Sequence, residues 1–458
     1  MQRLFAIAAL TWKAAFRFRL FWVLAALLLG SVVVLPLILK DDQTARGFIQ
    51  LLLTYNLTVI TTLLGFSTLW LACGTLARDI EECQMQMVAV KPISRWQIWL
   101  GKWIGLVGLN AALLVLSGGS VYGLLMFRSG KLPEAEQKIL RNEIFVARAT
   151  IREPIPDVEA TVDRIFKDRL QKTPVPVSEH ETLRNTIREQ FKAGIQIVPP
   201  DYRRRWEIDL GLRKNFLSDK PLFIRSRFYA AQTNATGTYL GEWQVGLPEK
   251  TRTWTTFKSQ AADAFYEFPI PPGLWDENGK LTINFLNRNN SALLFPIEDG
   301  FEILYREGGF GLNYVRGLGI ILCWLGLLAA LGLAAASFLS FPVAAFFSGT
   351  LLFVAMSGNT LSNVVSEGGI LGADHETGAI NNSWVDMLLI PIFKGMLQLI
   401  NLVQGFSPVD ALSTGRSITW GQLGLAFTQI VLLMGGLLAV AGILVFTRRE
   451  LATAQGTS

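Results

Sequence analysis

From Gly317 to Ser366 the chain reads GLGIILCWLGLLAALGLAAASFLSFPVAAFFSGTLLFVAMSGNTLSNVVS, without one Asp, Glu, Lys or Arg. A helix that crosses a bilayer needs ~20 predominantly apolar residues, so this stretch holds material for two crossings. Its natural break is Ser340-Phe341-Pro342, where proline opposes continuation of a helix. Four more charge-free blocks lie around it: Leu20 to Leu39, Phe48 to Ala77, Trp103 to Phe127 and Ser417 to Thr447. Each is long enough to span, and the pattern predicts an α-helical polytopic membrane protein. Between Arg128 and Arg316 charge returns at high density with strand-like and turn-like spacing. A water-soluble domain is therefore inserted between two membrane halves, 1–127 and 316–458.

Composition agrees, since 51% hydrophobic against 17% charged residues is unusual for a soluble enzyme and ordinary for a chain half in the membrane. The formal charge of +6 does not argue for nucleic acid, because the Lys and Arg excess sits beside the apolar blocks, where it sets topology. Cys73, Cys83 and Cys323 lie in or beside membrane segments at no metal-ligand spacing, so no disulfide scaffold is expected in the insert and no metal is predicted. The first block starts late and has no small-residue cleavage site, as expected of a retained first span rather than a signal peptide.

Arg3, Lys13, Arg17 and Arg19 precede the first span, Arg78, Lys91, Arg95 and Lys102 separate the second from the third, and Arg448 with Arg449 follows the last. If positive loops stay inside, both termini are cytoplasmic and residues 128–315 are extracytoplasmic. An even number of crossings then follows, and six are expected. Trp384 to Gln404 is left as an external interfacial or re-entrant helix: Asp386, Lys394, Gln398, Asn401 and Gln404 share an arc of roughly 120° on a helical wheel. The competing topology makes it a seventh span.

The second positive loop has more detail. Arg78-Asp79-Ile80-Glu81-Glu82-Cys83-Gln84-Met85-Gln86-Met87 is a mixed-charge helical stretch. It is followed by Val90-Lys91-Pro92-Ile93-Ser94-Arg95 and by Ile98-Trp99-Leu100-Gly101-Lys102-Trp103. Pro92 should end the first helix near Val90 and Ser94 should cap the next, giving a rigid helical elbow over 78–100. Taken alone, such an elbow is a solvated connection whose charges hold the neighbouring spans in register. With its Lys-Pro-Ile-Ser-Arg centre and Gly-Lys at the mouth of the third span, it resembles the permease subunits of type-2 ABC exporters, in particular the bacterial group named for permeases linked to multicopper enzyme maturation. The resemblance covers about Met1 to Phe127 and Val315 to Glu450.

It implies that the elbow contains a coupling helix docking on a separate ABC ATPase, with Arg78, Asp79, Glu81, Glu82, Gln84, Met85, Lys91 and Arg95 as the contact residues. It also implies a homodimer or paired permease working with two ATPases in the plasma (inner) membrane. Two further features fit this family. Leu4, Phe5, Ala8, Trp12, Ala15 and Phe16 share one face of an amphipathic helix before the first span, and the stretch 384–404 is similar to the family's external re-entrant helices. The long insert is a departure from the simplest members. No Gly-x-x-x-x-Gly-Lys-Ser/Thr loop occurs, so no cofactor is expected on this chain and ATP would be hydrolysed by the partner subunit.

Within the insert, residues 128–195 read as a strand from Glu143 to Ile151 and a helical hairpin or stalk, near Asp157 to Gln171 and Ser178 to Ala193. From 196 to 315 the runs Trp206 to Leu210, Leu222 to Tyr229, Leu281 to Phe285 and Phe301 to Tyr305 alternate, with a turn at Asp276 to Lys280. An antiparallel β-sandwich of the jelly-roll kind, a module that often binds carbohydrate, is expected. Trp206, Trp243, Trp254 and Trp275 have the rings to stack on a sugar, although large aromatics at strand spacing more often fill a core. Trp243 and Trp254 are the candidate external ligand contacts, for a glycan or a protein. Asn234, Asn289 and Asn381 begin short Asn-x-Ser/Thr triplets that nothing else supports as glycosylation sites. His180 and His375 stand apart from any second histidine, and no nucleophile elbow occurs, so no catalytic residue is named.

Three functions remain open on the sequence: an ATP-driven permease subunit, an ATPase-coupled mechanotransmission or scaffold protein without transport, and a membrane-tethered carbohydrate-binding receptor.

Overall fold

The structure is a computed structural model that describes residues 2–17, 20–38, 45–82, 93–154, 157–172, 176, 180–218, 220–234, 236–248, 250–297, 299–367 and 384–449. Backbone contacts divide the chain into a helical unit, Met1–Ala147 with Gly308–Ser458, and an inserted unit, Arg148–Glu307.

The helical unit begins with α1 (Gln2–Arg17), α2 (Leu20–Ile38), α3 (Ala45–Glu81), α4 (Arg95–Ser129) and α5 (Glu134–Glu143). Among the described residues four helices are long and apolar enough to cross a membrane: Gly47–Glu81, Arg95–Ser129, Phe310–Ala336 and Trp420–Arg448. A fifth is available if α1 and α2 form one broken span. These lengths mark the chain as a membrane protein.

Lipid offers no hydrophobic drive for helices to associate, so close packing of small residues has to hold them together. The central helix, Phe310–Ala336, shows how. A Cβ added at Gly332 would meet the Ala72 Cβ at 2.6 Å and the Leu69 carbonyl oxygen at 3.0 Å, so this glycine lets the helix approach α3 backbone to backbone. Ala329, Ala330, Leu333 and Ala336 are buried around that contact. On α4, a Cβ at Gly105 would meet the Thr11 Cβ at 2.8 Å, and Trp12 Nε1 donates to the Gly105 carbonyl at 2.9 Å. The amphipathic α1 therefore lies along α4 with Ile7, Ala8 and Ala15 buried, while Phe5 and Leu10 stay exposed.

Among the described residues the inserted unit carries two long helices, a short one at Lys214–Leu217, and eleven strands. The helices α6 (Val158–Lys172) and α7 (His180–Gln196) form the expected hairpin. Arg188 Nε reaches Glu159 Oε1 at 2.8 Å and Arg184 reaches Asp163 Oδ1 at 2.6 Å across it. One sheet has the order β1-β11-β4-β8, from β1 (Val146–Ile151), β11 (Phe301–Gly309), β4 (Leu222–Ser226) and β8 (Tyr266–Ile270). A second is β3-β9-β6-β7, from β3 (Arg203–Asp209), β9 (Lys280–Asn287), β6 (Thr238–Val245) and β7 (Trp254–Ala261). A small sheet joins β2 (Ile197–Val198), β10 (Leu293–Leu294) and β5 (Tyr229–Ala230).

The two four-stranded sheets share one core. Ile224, Phe268, Phe301 and Ile303 from the first meet Trp206, Trp243, Ile283 and Phe285 from the second. Trp206 stacks on Phe301 with centroids 4.2 Å apart, and Trp243 lies 4.7 Å from Phe285. The expected turn before β9 is present: Gly279 takes φ +81°, its N–H donates to the Asp276 carbonyl at 2.9 Å, and Lys280 N–H donates to Asp276 Oδ1 at 2.7 Å.

Three details differ from the sequence expectation. The strand placed from Glu143 begins at Val146, because Glu134–Glu143 is helical. The run Leu222 to Tyr229 is two strands, since Arg227 N–H turns away to the Gly300 carbonyl at 3.0 Å and β5 pairs with β10. The inserted unit is narrower than 128–315, because α4 continues to Ser129 and the next long helix already begins at Phe310.

After the insert come α8 (Phe310–Ala336), α9 (Phe341–Met356), α10 (Gly358–Glu367), α11 (Trp384–Gln404), α12 (Pro408–Ser413) and α13 (Trp420–Arg448), whose middle, Phe427–Gly435, is π-helical. The break foreseen at Ser340-Phe341-Pro342 is where α9 starts, with Ser340 as its N-cap and Pro342 in its first turn.

Candidate functional site

A helix that ends inside a protein leaves unpaired N–H groups at its start and carbonyls at its finish. In the helical unit, charged residues from either side of the elbow fill several of these positions. Glu81, at the last residue of α3, accepts the Phe341 N–H at 2.8 Å, which supplies an acceptor to the first turn of α9. The Arg78 guanidinium lies 4.4 Å from the centre of the Phe341 ring. Arg95, opening α4, donates Nη1 to the carbonyls of Phe446 at 2.7 Å, Thr447 at 2.8 Å and Arg449 at 2.7 Å, closing the C-terminus of α13. Arg449 in turn donates to the Ser337 carbonyl at 3.2 Å, just past the end of α8.

Asp79 makes the remaining link. Its Oδ2 receives Lys102 Nζ at 2.6 Å, and the same ammonium donates to the Thr75 carbonyl at 2.7 Å. Lys102 is nearly buried while Asp79 remains one-third exposed. Ser94 opens α4 as its N-cap, with Gln97 returning to the Ser94 N–H at 3.4 Å. Chemically this is a set of clamps that ties α3, α4, α8, α9 and α13 at one end of the helical unit, around the Glu82 to Ile93 connection.

Arg78, Asp79, Glu81 and Arg95 are therefore brought together as partners of helix ends and of one another's helices. Glu82 is exposed at the end of α3. Gln84, Met85 and Lys91 lie outside the described residues. Lys102, which belongs to the same network, enters the sequence reading only as a topology-setting charge and in the Gly-Lys pair; its place among apolar residues of one helix is the signal that marks it.

A second polar feature lies on α11. Gln398 and Asn401, from the arc noted in the sequence, line a cavity of about 480 Å³ together with Phe406 and with Gln429 of the π-helical part of α13. Such i→i+5 segments are uncommon and recur at functional positions.

In the inserted unit the two candidate ligand tryptophans part company. Trp243 is fully buried among Trp206, Phe268, Phe285 and Phe301, so neither ring face is open to a sugar. Trp254 is half-buried at the start of β7, opposite Val245, and packs at the border of the same core. Trp206 is likewise core, and Trp275 packs against its edge. No cluster of three or more His, Cys, Asp or Glu with metal-binding geometry occurs among the described residues, and His375 lies outside them. Comparison of the chain with family models, with curated proteins and with solved structures finds no match.

Proposed function

We propose that the protein is the permease subunit of an ATP-binding-cassette export system, working as a dimer, with a separate ATPase docking on the 78–100 elbow. The observation that carries this is the clamp set. A push on the elbow displaces Glu81 and Asp79 on one side and Arg95 on the other, and these hold the start of α9, Lys102 two turns into α4, and the end of α13. Work done at one connection is thereby delivered to several helices, which an ATPase-driven permease needs. The polar wall of Gln398, Asn401 and Gln429 is the part of the helical unit suited to a polar substrate inside lipid.

In this proposal six helices cross the plasma (inner) membrane, the first being α2 and the fifth being α9 with α10. Both termini and the elbow are cytoplasmic, and the inserted unit is extracytoplasmic. Leaving out the three two-residue strands, the remaining strands in chain order form sheets 1-8-3-6 and 2-7-4-5, which supports a jelly-roll reading of the insert.

Mechanotransmission without transport is the second reading. It is favoured by the absence of any linker between β11, which ends at Gly309, and α8, which begins at Phe310. Helix motion is then passed directly to a strand of the insert.

The test is isolation of the full chain from its native membranes in a mild detergent. An ATP-hydrolysing subunit should co-purify, and Glu82→Lys should lower its retention by reversing a charge beside the docking surface. A chain recovered alone, with no ATPase activity under conditions that preserve membrane complexes, sinks both ATPase-coupled readings. Retention with ATP turnover but no substrate movement in vesicles selects the second.

A further inference from the structure

Alternation along β3 places Arg204, Trp206 and Ile208 on the core-facing side of the sheet, and the burial of Trp206 and Ile208 confirms that facing. An arginine on this face is unexpected, because guanidinium cannot shed its charge and needs partners for its five N–H groups. Here the group lies 5.0 Å from the centre of the Trp206 ring. Its Nη1 is buried and has no hydrogen-bond partner among the described residues. A buried polar group left in this way requires an explanation.

The Trp206 ring is the neighbour of the enclosed Nη1, which no bound molecule can reach, whereas Nε and Nη2 are not enclosed and have no protein hydrogen bond among the described residues. Arg204 lines a cavity of about 730 Å³ at the end of the sandwich, together with Arg203, Arg205, Tyr202, Glu153 and Gly194. That volume is within the usual range for small-molecule sites. The neighbouring groups do not supply what Arg204 lacks. Arg205 is paired with Glu207 at 2.8 Å, and the Glu153 carboxylate accepts the Glu207 N–H at 3.4 Å. Glu153 acts on Arg204 only through its field, and desolvation outweighs it, holding the guanidinium below its ordinary pKa. Tyr202 stands 65% exposed on the cavity wall, a ring free to cover a bound molecule.

We propose that this cavity is a binding site for a small molecule bearing a carboxylate or phosphate group, whose oxygens are received by Nε and Nη2 of Arg204, the edge of the guanidinium that is not enclosed, with Arg203 adding positive field. The planar fork suits two parallel N–H···O bonds, and a charge-assisted pair in a partly desolvated site is stronger than one in water. The site is independent of the ATPase-coupled reading, since it needs nothing from the helical unit.

Calorimetric titration of the purified full chain in an uncharged detergent tests it, using glucuronate, inorganic phosphate, glycerol 1-phosphate and glucose as probes. At least one of the three anions should bind saturably and glucose should not. Preference for glycerol 1-phosphate would identify a lipid headgroup as the source of the oxyanion, and preference for glucuronate or phosphate a free anion. Arg204→Met should weaken binding about 10-fold or more, the equivalent of losing one charge-assisted hydrogen bond. Arg204→Lys should also weaken it, because an ammonium lacks the fork, whereas Arg288→Met, at an exposed arginine paired with Glu242 outside the cavity lining, should change it by less than about 3-fold. If Arg204→Met fails to fold, the lysine variant decides. The proposal is overturned if no anion binds saturably to the wild type, if glucose binds as well as glucuronate, or if the Arg204 variants bind like the wild type.

Discussion

The helical unit and the inserted unit both hold charge in place, and they do so in different ways. In the helical unit Arg95 and Glu81, neither of them buried, are joined to backbone, three carbonyls at the end of α13 and the first N–H of α9, and even Lys102, paired with Asp79, also donates to the Thr75 carbonyl. In the insert the charges are joined to one another across the strands. Arg225 on β4 stands opposite Glu302 on β11 and Glu267 on β8. Its Nη1 reaches Glu302 at 3.0 Å, Arg148 on β1 reaches Glu267 at 2.9 Å, and Arg152 closes on Glu302 at 2.9 Å. The contrast follows from the backbone. Helix ends expose groups with no partner in their own element, whereas a sheet satisfies its backbone internally and leaves a buried side chain only other side chains. Charge in the first unit thus couples elements, and charge in the second fixes register within a sheet.

The largest expected effect comes from breaking the sheet's charge layer. Glu302 is fully buried, so Glu302→Gln leaves Arg225 and Arg152 facing a neutral amide. The insert should lose about 3–5 kcal/mol, read as a fall in its thermal unfolding by near-ultraviolet circular dichroism. Replacing the facing residues together, Arg225→Leu with Glu302→Leu, should recover part of that loss. A double variant worse than the single one would mean the layer is not held by pairing.

In the helical unit Arg95→Met should cost less, about 2–3 kcal/mol, because the freed carbonyls at the end of α13 keep access to water. The loss should appear as increased amide exchange in α13 and α4 with the insert unchanged. Exchange spreading equally through the insert would contradict the local role assigned to Arg95.

The smallest effect belongs to the exposed pairs of the α6–α7 hairpin. The Arg188 hydrogen bond holds the Glu159 carboxyl below its usual range. A carboxylate depressed in the folded state adds stability above its unfolded pKa of about 4.3, and that contribution disappears as pH falls through the lower folded value. Hairpin protection in amide exchange should therefore decline only on acidification below the ordinary carboxylate range, and Glu159→Gln should remove that dependence. A decline on raising the pH from neutral would contradict the sign.

Much of this architecture is written in local pattern. The blocks Phe48 to Ala77, Trp103 to Phe127 and Ser417 to Thr447 became long helices and Gly317 to Ser366 supplied the end of a fourth, followed after Pro342 by the shorter α9 and α10, while Leu20 to Leu39 became α2, which counts toward a span only together with α1. Four of the strands were legible by alternation. β7 was not: Trp254–Ala261 reads as Thr, Lys, Ser and Gln, since its outer face is exposed and only part of it faces the core. Helix α5 was hidden by its charges, Glu134-Ala135-Glu136-Gln137-Lys138, which resemble a solvated linker. The roles of Glu81 and Arg95 could not be read at all. Their partners lie 260 and 351 positions away, and no spacing rule reaches that far. Arg204 was passed over for a related reason: in a run of three arginines, only the strand's facing distinguishes the one turned inward.

The coupling account depends first on the elbow and the insert being on opposite sides of the membrane. The direct measurement is thiol labelling of intact cells with an impermeant reagent, in a background where Cys73, Cys83 and Cys323 are serine. Asn278→Cys, at the exposed turn before β9, and Glu82→Cys, at the exposed end of α3, are the two probes. Asn278 is preferred to its neighbour Gly279, whose positive φ would strain a cysteine. The account predicts labelling at 278 from outside and at 82 only after permeabilisation. Labelling of both positions from the same side would contradict it.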